Sequence, residues 1–227
     1  MEGEYHDKQY CLEVWGEYAC FTRPEFKVER VSYDVITPSA ARAIFEAIFW
    51  KPAIRWQIDK IEVLAPIHRF SIRRNEVGAL AGKTPIFIED NRQQRNAVVL
   101  KDVRYRIWAT MIFIPIRDRK PEYRPTVDRI STENPGKYQA MFERRAEKGQ
   151  CFNQPYLGCR EFSCGFELID PLDSMKSPIE ETRDLQYMLY DMDFKDNVKS
   201  PDPIFFHAQM ENGVIYIPSP DSELLLK

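Results

Sequence analysis

Val103-Arg-Tyr-Arg-Ile-Trp-Ala-Thr-Met-Ile-Phe113 is the most regular run in the chain. Val103, Tyr105, Ile107, Ala109, Met111 and Phe113 occupy every second position, the spacing of side chains on one face of a β-strand. Upstream, residues 67–95 are polar and basic, carry Gly78, Gly82 and Pro85, and read as a long loop or an extended hairpin. Before them Ile54-Arg-Trp-Gln-Ile58 alternates and continues through Ile61-Glu-Val-Leu64 as another strand. Ahead of that strand lies a helix, with Thr37 as N-cap, Pro38 in the first turn, and Ala40, Ala41, Ile44, Phe45 and Ile48 at helical spacing. Pro52 stops it soon after Trp50. Tyr10-Cys-Leu-Glu-Val-Trp15 predicts a first strand ended by Gly16, and Phe26–Tyr33 an irregular loop or small hairpin arm.

Downstream, Asn134 caps a second helix from Pro135 to Lys148, closed by Gly149. Glu161–Ile169 predicts a further strand. The order β-α-β-β-α-β is the ferredoxin-like arrangement shared by RNA-recognition domains, so the fold class is α+β. Beyond it, Leu185–Phe194 reads as a strand, and Ile204–Met210 with Val214–Ile217 as a hairpin around Glu211-Asn212-Gly213. The expected organisation is a ferredoxin-like domain over 1–169, with its basic insertion at 67–95, and a small acidic antiparallel β appendage over 170–227.

The 227 residues suffice for a sizeable core. Nine glycines and 16 prolines argue against collagen-like or low-complexity chains. No apolar stretch approaches the roughly 20 residues of a membrane helix. The polar start, Met1 to Lys8, lacks signal-peptide order, which predicts a cytoplasmic protein. Cys11, Cys20, Cys151, Cys159 and Cys164 form no C-x-x-C pair, so free thiols are expected, and neither they nor the scattered His6, His68 and His207 suggest a metal site. The net charge of −3 is unevenly spread. Residues 67–148 hold 18 Lys/Arg against 10 Asp/Glu, whereas 170–227 hold 5 against 12. A basic centre beside an acidic tail suits a nucleic-acid face next to a protein-contacting or solvated one.

Three stretches could carry chemistry. Tyr18–Pro24 with Lys27–Tyr33 interleaves cations and aromatics. Phe49-Trp-Lys-Pro52 sets a cation after two aromatics at a helix end, and Asn134-Pro-Gly-Lys-Tyr138 opens the second helix. A helix start points N–H groups at anions, and Lys137 adds a mobile charge there, a place for a scissile phosphate. Taken alone, Pro135-Gly136 fits a plain helix start with Lys137 solvated better than a phosphate site, and Phe49 and Trp50 fit core or staple residues better than stacking platforms.

Val14–Pro24, Glu29–Val35, Pro38–Ile44, Phe49–Arg55, Arg73-Arg-Asn-Glu76, Asn91-Arg-Gln-Gln-Arg95, Gly149-Gln-Cys-Phe152, Leu157-Gly-Cys-Arg-Glu161 and Met210-Glu-Asn-Gly213 together closely resemble the CRISPR-associated Cas-five family of type I-C systems, in its catalytic "d" form. The resemblance spans nearly the whole chain, in the family's order. It implies a ferredoxin-like domain with a C-terminal β appendage. It implies metal-free, cofactor-free endoribonuclease cleavage of precursor CRISPR RNA at the 3′ base of the repeat hairpin. Retention on the 5′ handle would follow, beside the backbone and large subunits of the surveillance complex that serves antiviral defence. The expected constellation is a Tyr before the Trp-Lys-Pro motif and a Lys-His pair opening the second helix. Lys137 matches; Phe49 stands where Tyr is usual, and Tyr138 where His is usual. The implied catalytic residues are therefore Lys137 and Tyr138. Expected RNA contacts are Arg23, Lys27, Arg30, Tyr33, Arg42, Lys51, Arg73, Arg74, Arg92 and Arg95. The competing readings are a non-catalytic handle-binding scaffold in the same complex, and a generic RNA-recognition or protein-interaction domain.

Overall fold

Alternation around Val103–Phe113 extends into a 22-residue strand that organises the molecule. The computed structural model describes residues 7–26, 28–80, 82–126, 133–170, 176–194 and 200–226. Along them run β1 (Lys8–Ala19), α1 (Pro38–Ile48), β2 (Ile54–Val63), β3 (His68–Val77), the short α2 (Ile88–Asn91), β4 (Arg92–Phe113), α3 (Pro135–Glu147), β5 (Gly165–Ile169), β6 (Arg183–Asp193), β7 (Asp202–Met210), β8 (Val214–Tyr216) and β9 (Leu225–Leu226). Two short 3₁₀ turns, Ile116–Asp118 and Pro121–Tyr123, follow β4. The main sheet has the order β5-β1-β4-β2-β8, with β3 beside β4, and a second sheet has the order β6-β7-β9. All ladders are antiparallel, giving an α+β architecture in two sheets.

Helices α1 and α3 cover one face of the main sheet. Thr37 Oγ1 accepts from the Ala40 N–H at 3.3 Å, which starts α1 where the capping residues predict. Its Ile44, Phe45 and Ile48 are buried, as are Tyr138, Phe142 and Ala146 of α3. Trp56 of β2 lies between the helices, its ring 4.8 Å from Phe45 and 4.7 Å from Phe142. Fully burying each such side chain is worth about 1.5–3 kcal/mol, so this aromatic cluster fixes how both helices sit on the sheet.

The opposite face is polar yet partly dry. Arg106 is 2% exposed and bonds Glu62 at 2.6 Å, while the Trp108 indole N–H donates to the same carboxylate at 3.1 Å. Burial pushes the Glu62 carboxyl up, but Lys60 and Arg106 outweigh it and hold it below its usual range.

The structure corrects several expected boundaries. β1 does not end at Gly16; it continues to Ala19 because Gly16 pairs with Val103. A Cβ there would stand 2.5 Å from Leu157, so the missing side chain admits the neighbouring loop rather than ending the strand. The strand expected from Glu161 begins only at Gly165. Residues 67–95 resolve into a hairpin, with Arg74 opposite Arg95 in the β3–β4 ladder. The Asn-Gly turn forms, with Asn212 at φ 48° and Gly213 at φ 75°, but it closes a single antiparallel bridge, Glu211 with Val214, rather than a ladder. β7 pairs with β6 and β9 while β8 joins the main sheet beside β2, so the turn carries the chain from one sheet to the other. Among the described residues the five cysteines are free thiols and no helix is long and apolar enough to cross a membrane. Met1 to His6 of the polar start lie outside the described residues.

Candidate active site

The start of α3 is held by its own sequence. Asn134, in extended geometry, accepts the Lys137 N–H at 2.9 Å, and Pro135 occupies the first turn. That capped turn puts Lys137 and Tyr138 side by side, with the Lys137 ammonium 5.3 Å from the Tyr138 ring centre. Glu133, just before the cap, unites them. It accepts the Lys137 ammonium at 3.0 Å and the Tyr138 hydroxyl at 2.7 Å from both carboxylate oxygens. Arg119, from the turns after β4, bonds the same carboxylate at 2.7 Å. Its Nε donates to the Ile114 carbonyl at 2.8 Å, while its buried Nη2 has no partner among the described residues.

This geometry sets the proton affinities. Burial pushes the Glu133 carboxyl up, but hydrogen bonds from Tyr138, Arg119 and Lys137 outweigh that and hold it at about 2. Tyr138 is moved the other way, to about 12, by burial and by the carboxylate that receives its proton. At neutral pH the pair is therefore carboxylate and phenol.

Above them opens a cleft of about 510 Å³, walled by Lys51 and Pro52 from the turn after α1, Tyr123 and Arg124, and Lys137 with Tyr138. Arg119 and Glu133 also contribute to its lining. Four cations against one carboxylate make a site for anions, phosphate above all, and the half-exposed Lys137 ammonium can turn towards one. Two of the three stretches singled out in sequence thus converge here, through Lys51 and Lys137. Phe49 does not join them. It is wholly buried, its ring 5.4 Å from the Arg145 guanidinium and its carbonyl accepting from the Trp56 indole at 3.0 Å.

The other expected RNA contacts fall elsewhere. Arg73, Arg74, Arg92 and Arg95 lie on the β3–β4 hairpin, at the far end of β4 from the cleft. At about 3.3 Å per residue, Arg95 and Phe113 are up to about 60 Å apart along that strand. Glu76 gathers Arg30, Arg74 and Arg95 at 3.7, 3.1 and 3.6 Å, and Arg74 also pairs with Glu161. Arg73 and Arg92 are exposed. Arg23 stacks 4.5 Å above Tyr33. Tyr33 itself is 1% exposed, its hydroxyl accepting the Leu189 N–H at 3.2 Å, so it is a core residue beneath Arg23 rather than a surface ring. Arg42 turns away from both regions and binds Asp191 of β6, with Glu46 at 3.4 Å. Lys27 lies outside the described residues.

Sequence reading missed Glu133, Arg119, Tyr123 and Arg124. A faint signal existed for Glu133, an acid directly ahead of an N-cap where the helix dipole favours negative charge. None existed for Arg119, one of several cations in a charged run.

A family model described as "CRISPR-associated protein (Cas_Cas5)" matches residues 9–218. The chain is 50% identical over 225 residues to a "CRISPR pre-crRNA endoribonuclease Cas5d" of Mannheimia succiniciproducens, covering 91% of this chain and 93% of that protein. It is 42% identical over 224 residues to a protein of the same description from Thermus thermophilus, covering 92% and 90%. Among solved structures it resembles one described as a CRISPR-associated protein, with a TM-score of 0.70, 23% identity and 98% of each chain covered. A functionally uncharacterized protein from Streptococcus mutans matches with a TM-score of 0.68 and 22% identity, over 98% of this chain and 99% of that one.

Proposed function

The chain belongs to the Cas5d family of CRISPR-associated proteins, and from that premise we propose that it is an endoribonuclease that matures precursor CRISPR RNA by cutting its repeat. The strand order β5-β1-β4-β2, with α1 and α3 on one face, supports a ferredoxin-like body for this role. The observation that carries the reading is the Lys137 ammonium, half-exposed at the first turn of α3 in a cation-lined cleft, beside a phenol committed to the same buried carboxylate.

Cleavage without a metal uses the neighbouring 2′-hydroxyl as nucleophile. That hydroxyl must lose its proton, the phosphorane must be stabilised, and the departing 5′-oxygen must gain a proton. Lys137 serves the last two needs as a nearby ammonium, and Tyr138 orients the nucleophile. Lys51 and Arg124 hold the flanking phosphates. The repeat stem extends along the arginines of the β3–β4 hairpin, Arg73, Arg74, Arg92 and Arg95, with Arg23 and Arg30 beside them. Phosphate contact of this kind makes affinity strongly salt-dependent, while hairpin shape and splayed bases give selectivity. After cleavage the protein stays on the 5′ handle as a subunit of the surveillance complex. The acidic C-terminal part, from about residue 170, faces other subunits with its β6-β7-β9 sheet, while its β8 stays in the main sheet.

A second reading, a handle-binding scaffold without cleavage, is favoured by the burial of Phe49 and by the absence of a histidine at position 138. One experiment separates the two. Purified protein is incubated with its cognate repeat RNA in EDTA. A single cut that disappears in Lys137→Ala, with binding retained, supports the nuclease; binding with no cut supports the scaffold.

A further inference from the structure

We infer that Glu133 is a positioning residue for the cleavage, joining the Tyr138 hydroxyl to the Lys137 ammonium in one proton relay; this rests on the nuclease reading above. The relay answers a difficulty in that reading. A phenol in place of imidazole is a poor base, and position 49 offers no proton-carrying group to help it.

The geometry supplies the missing connection. The Tyr138 hydroxyl donates to Glu133, its oxygen 2.7 Å from either carboxylate oxygen, and the Lys137 ammonium stands 3.0 Å from one of them. With its proton so committed, the Tyr138 oxygen keeps lone pairs for accepting from a second hydroxyl. Only 6% of Tyr138 is exposed, yet it lines the cleft. The charged and titratable groups facing Glu133 are Arg119, Lys137 and the neutral Tyr138 phenol, with Lys51 and Arg124 elsewhere in the cleft wall.

The proton bookkeeping closes. As the 2′-oxygen bonds to phosphorus, its proton passes to the Tyr138 oxygen while the phenolic proton passes to Glu133. The bond from phosphorus to the 5′-oxygen breaks, and that oxygen takes a proton from Lys137. Glu133 hands its proton to the neutral amine. The products are a 2′,3′-cyclic phosphate and a 5′-hydroxyl, and every protein group returns to its starting state. At rest Glu133 is a carboxylate, and because a group held at about 2 is a weak base it takes the phenolic proton only in concert with the loss of a proton from Lys137. Arg119 maintains the resting carboxylate from below.

Single-turnover cleavage of the cognate repeat RNA in EDTA tests the relay, using wild type, Tyr138→Phe, Glu133→Gln and Lys137→Ala. Each is assayed on normal RNA and on RNA with sulfur replacing the scissile 5′-oxygen, a leaving group that departs without a proton. Tyr138→Phe and Glu133→Gln are expected to slow the normal cut by about 10²- to 10³-fold with RNA affinity unchanged. Sulfur is expected to restore Lys137→Ala and neither of the others, since their defect lies on the attacking side. Tyr138→Phe leaves the carboxylate and both its cations in place, so it reads the relay even where Glu133→Gln folds poorly. A Tyr138→Phe rate equal to wild type, a Glu133→Gln loss confined to affinity, or equal rescue of all three variants overturns the relay alone. Absence of any cut by wild type overturns the nuclease reading, and the relay with it.

Discussion

Arg119 and Glu133 meet at 2.7 Å with both side chains almost wholly removed from solvent, 3% and 5% exposed. The pair lies beneath the candidate cleft and joins the turns after β4 to the approach of α3. Two charges in such a place are costly to desolvate and costly to separate. Arg119→Met is therefore expected to leave the carboxylate with only Lys137 and Tyr138 and to lower stability by about 3 kcal/mol, the low end for a broken buried pair. Urea unfolding at neutral pH measures it. A loss within the range of a surface pair, below about 1 kcal/mol, would contradict the burial that the pairing implies.

Acid should find the same carboxylate. Glu133 titrates at about 2 in the folded protein, against 4.5 for an ordinary glutamate. Between those values the unfolded chain takes up a proton that the folded chain refuses, so each step down in pH favours unfolding. The contribution is complete above about 4.5 and lost as pH falls through about 2. A series of urea midpoints across this window should slope downward in wild type and distinctly less in Glu133→Gln, which has no proton to gain. Parallel slopes in the two proteins would remove Glu133 from the account of acid stability.

Two cations that look alike in sequence should part company in the laboratory. Lys51 is exposed on the cleft wall, whereas Arg42 is committed to Asp191 and Glu46. Lys51→Ala is expected to weaken RNA binding uniformly across sequences and to reduce the slope of log affinity against log salt by about 1. Arg42→Ala is expected to leave that slope alone and to cost about 1–2 kcal/mol of stability, between the values for surface and buried pairs. Filter binding over a salt series, beside thermal melts, separates these outcomes; a changed salt slope in Arg42→Ala would place it back on the RNA.

What was legible in the sequence was local. The Thr37 and Asn134 caps, each followed by proline, start α1 and α3 where their chemistry requires, and alternation locates β2 and β4. Lys137 could be found for the same reason, since a helix start announces itself within a few residues. The longer-range pairings could not be read. Asn212-Gly213 makes the tight turn its residues favour, but whether the flanking strands pair with one another depends on β2 offering β8 a vacant edge. Glu133 and Arg119 carry no mark of their partnership, because the turns between them decide whether they meet. Cations are the hardest case. Arg30, Arg42 and Arg74 each meet carboxylates from distant segments, and charge counting cannot distinguish them from the exposed Arg73 and Arg92.

The departure at position 49 yields the last expectation. Family resemblance implies a tyrosine acting there, but Phe49 is wholly buried beside Arg145, whose guanidinium also donates to the Ile48 carbonyl at 3.1 Å. A hydroxyl added to that ring would enter a packed interior and leave a polar group without an arranged partner, a cost of about 1–3 kcal/mol. Phe49→Tyr should thus lower the melting temperature while the cleavage rate per folded molecule stays at the wild-type value. Thermal melts and single-turnover cleavage on one preparation check both halves. A rate that rose above wild type would mean that the ring reaches the substrate, and the cleft would then have to be redrawn to include it.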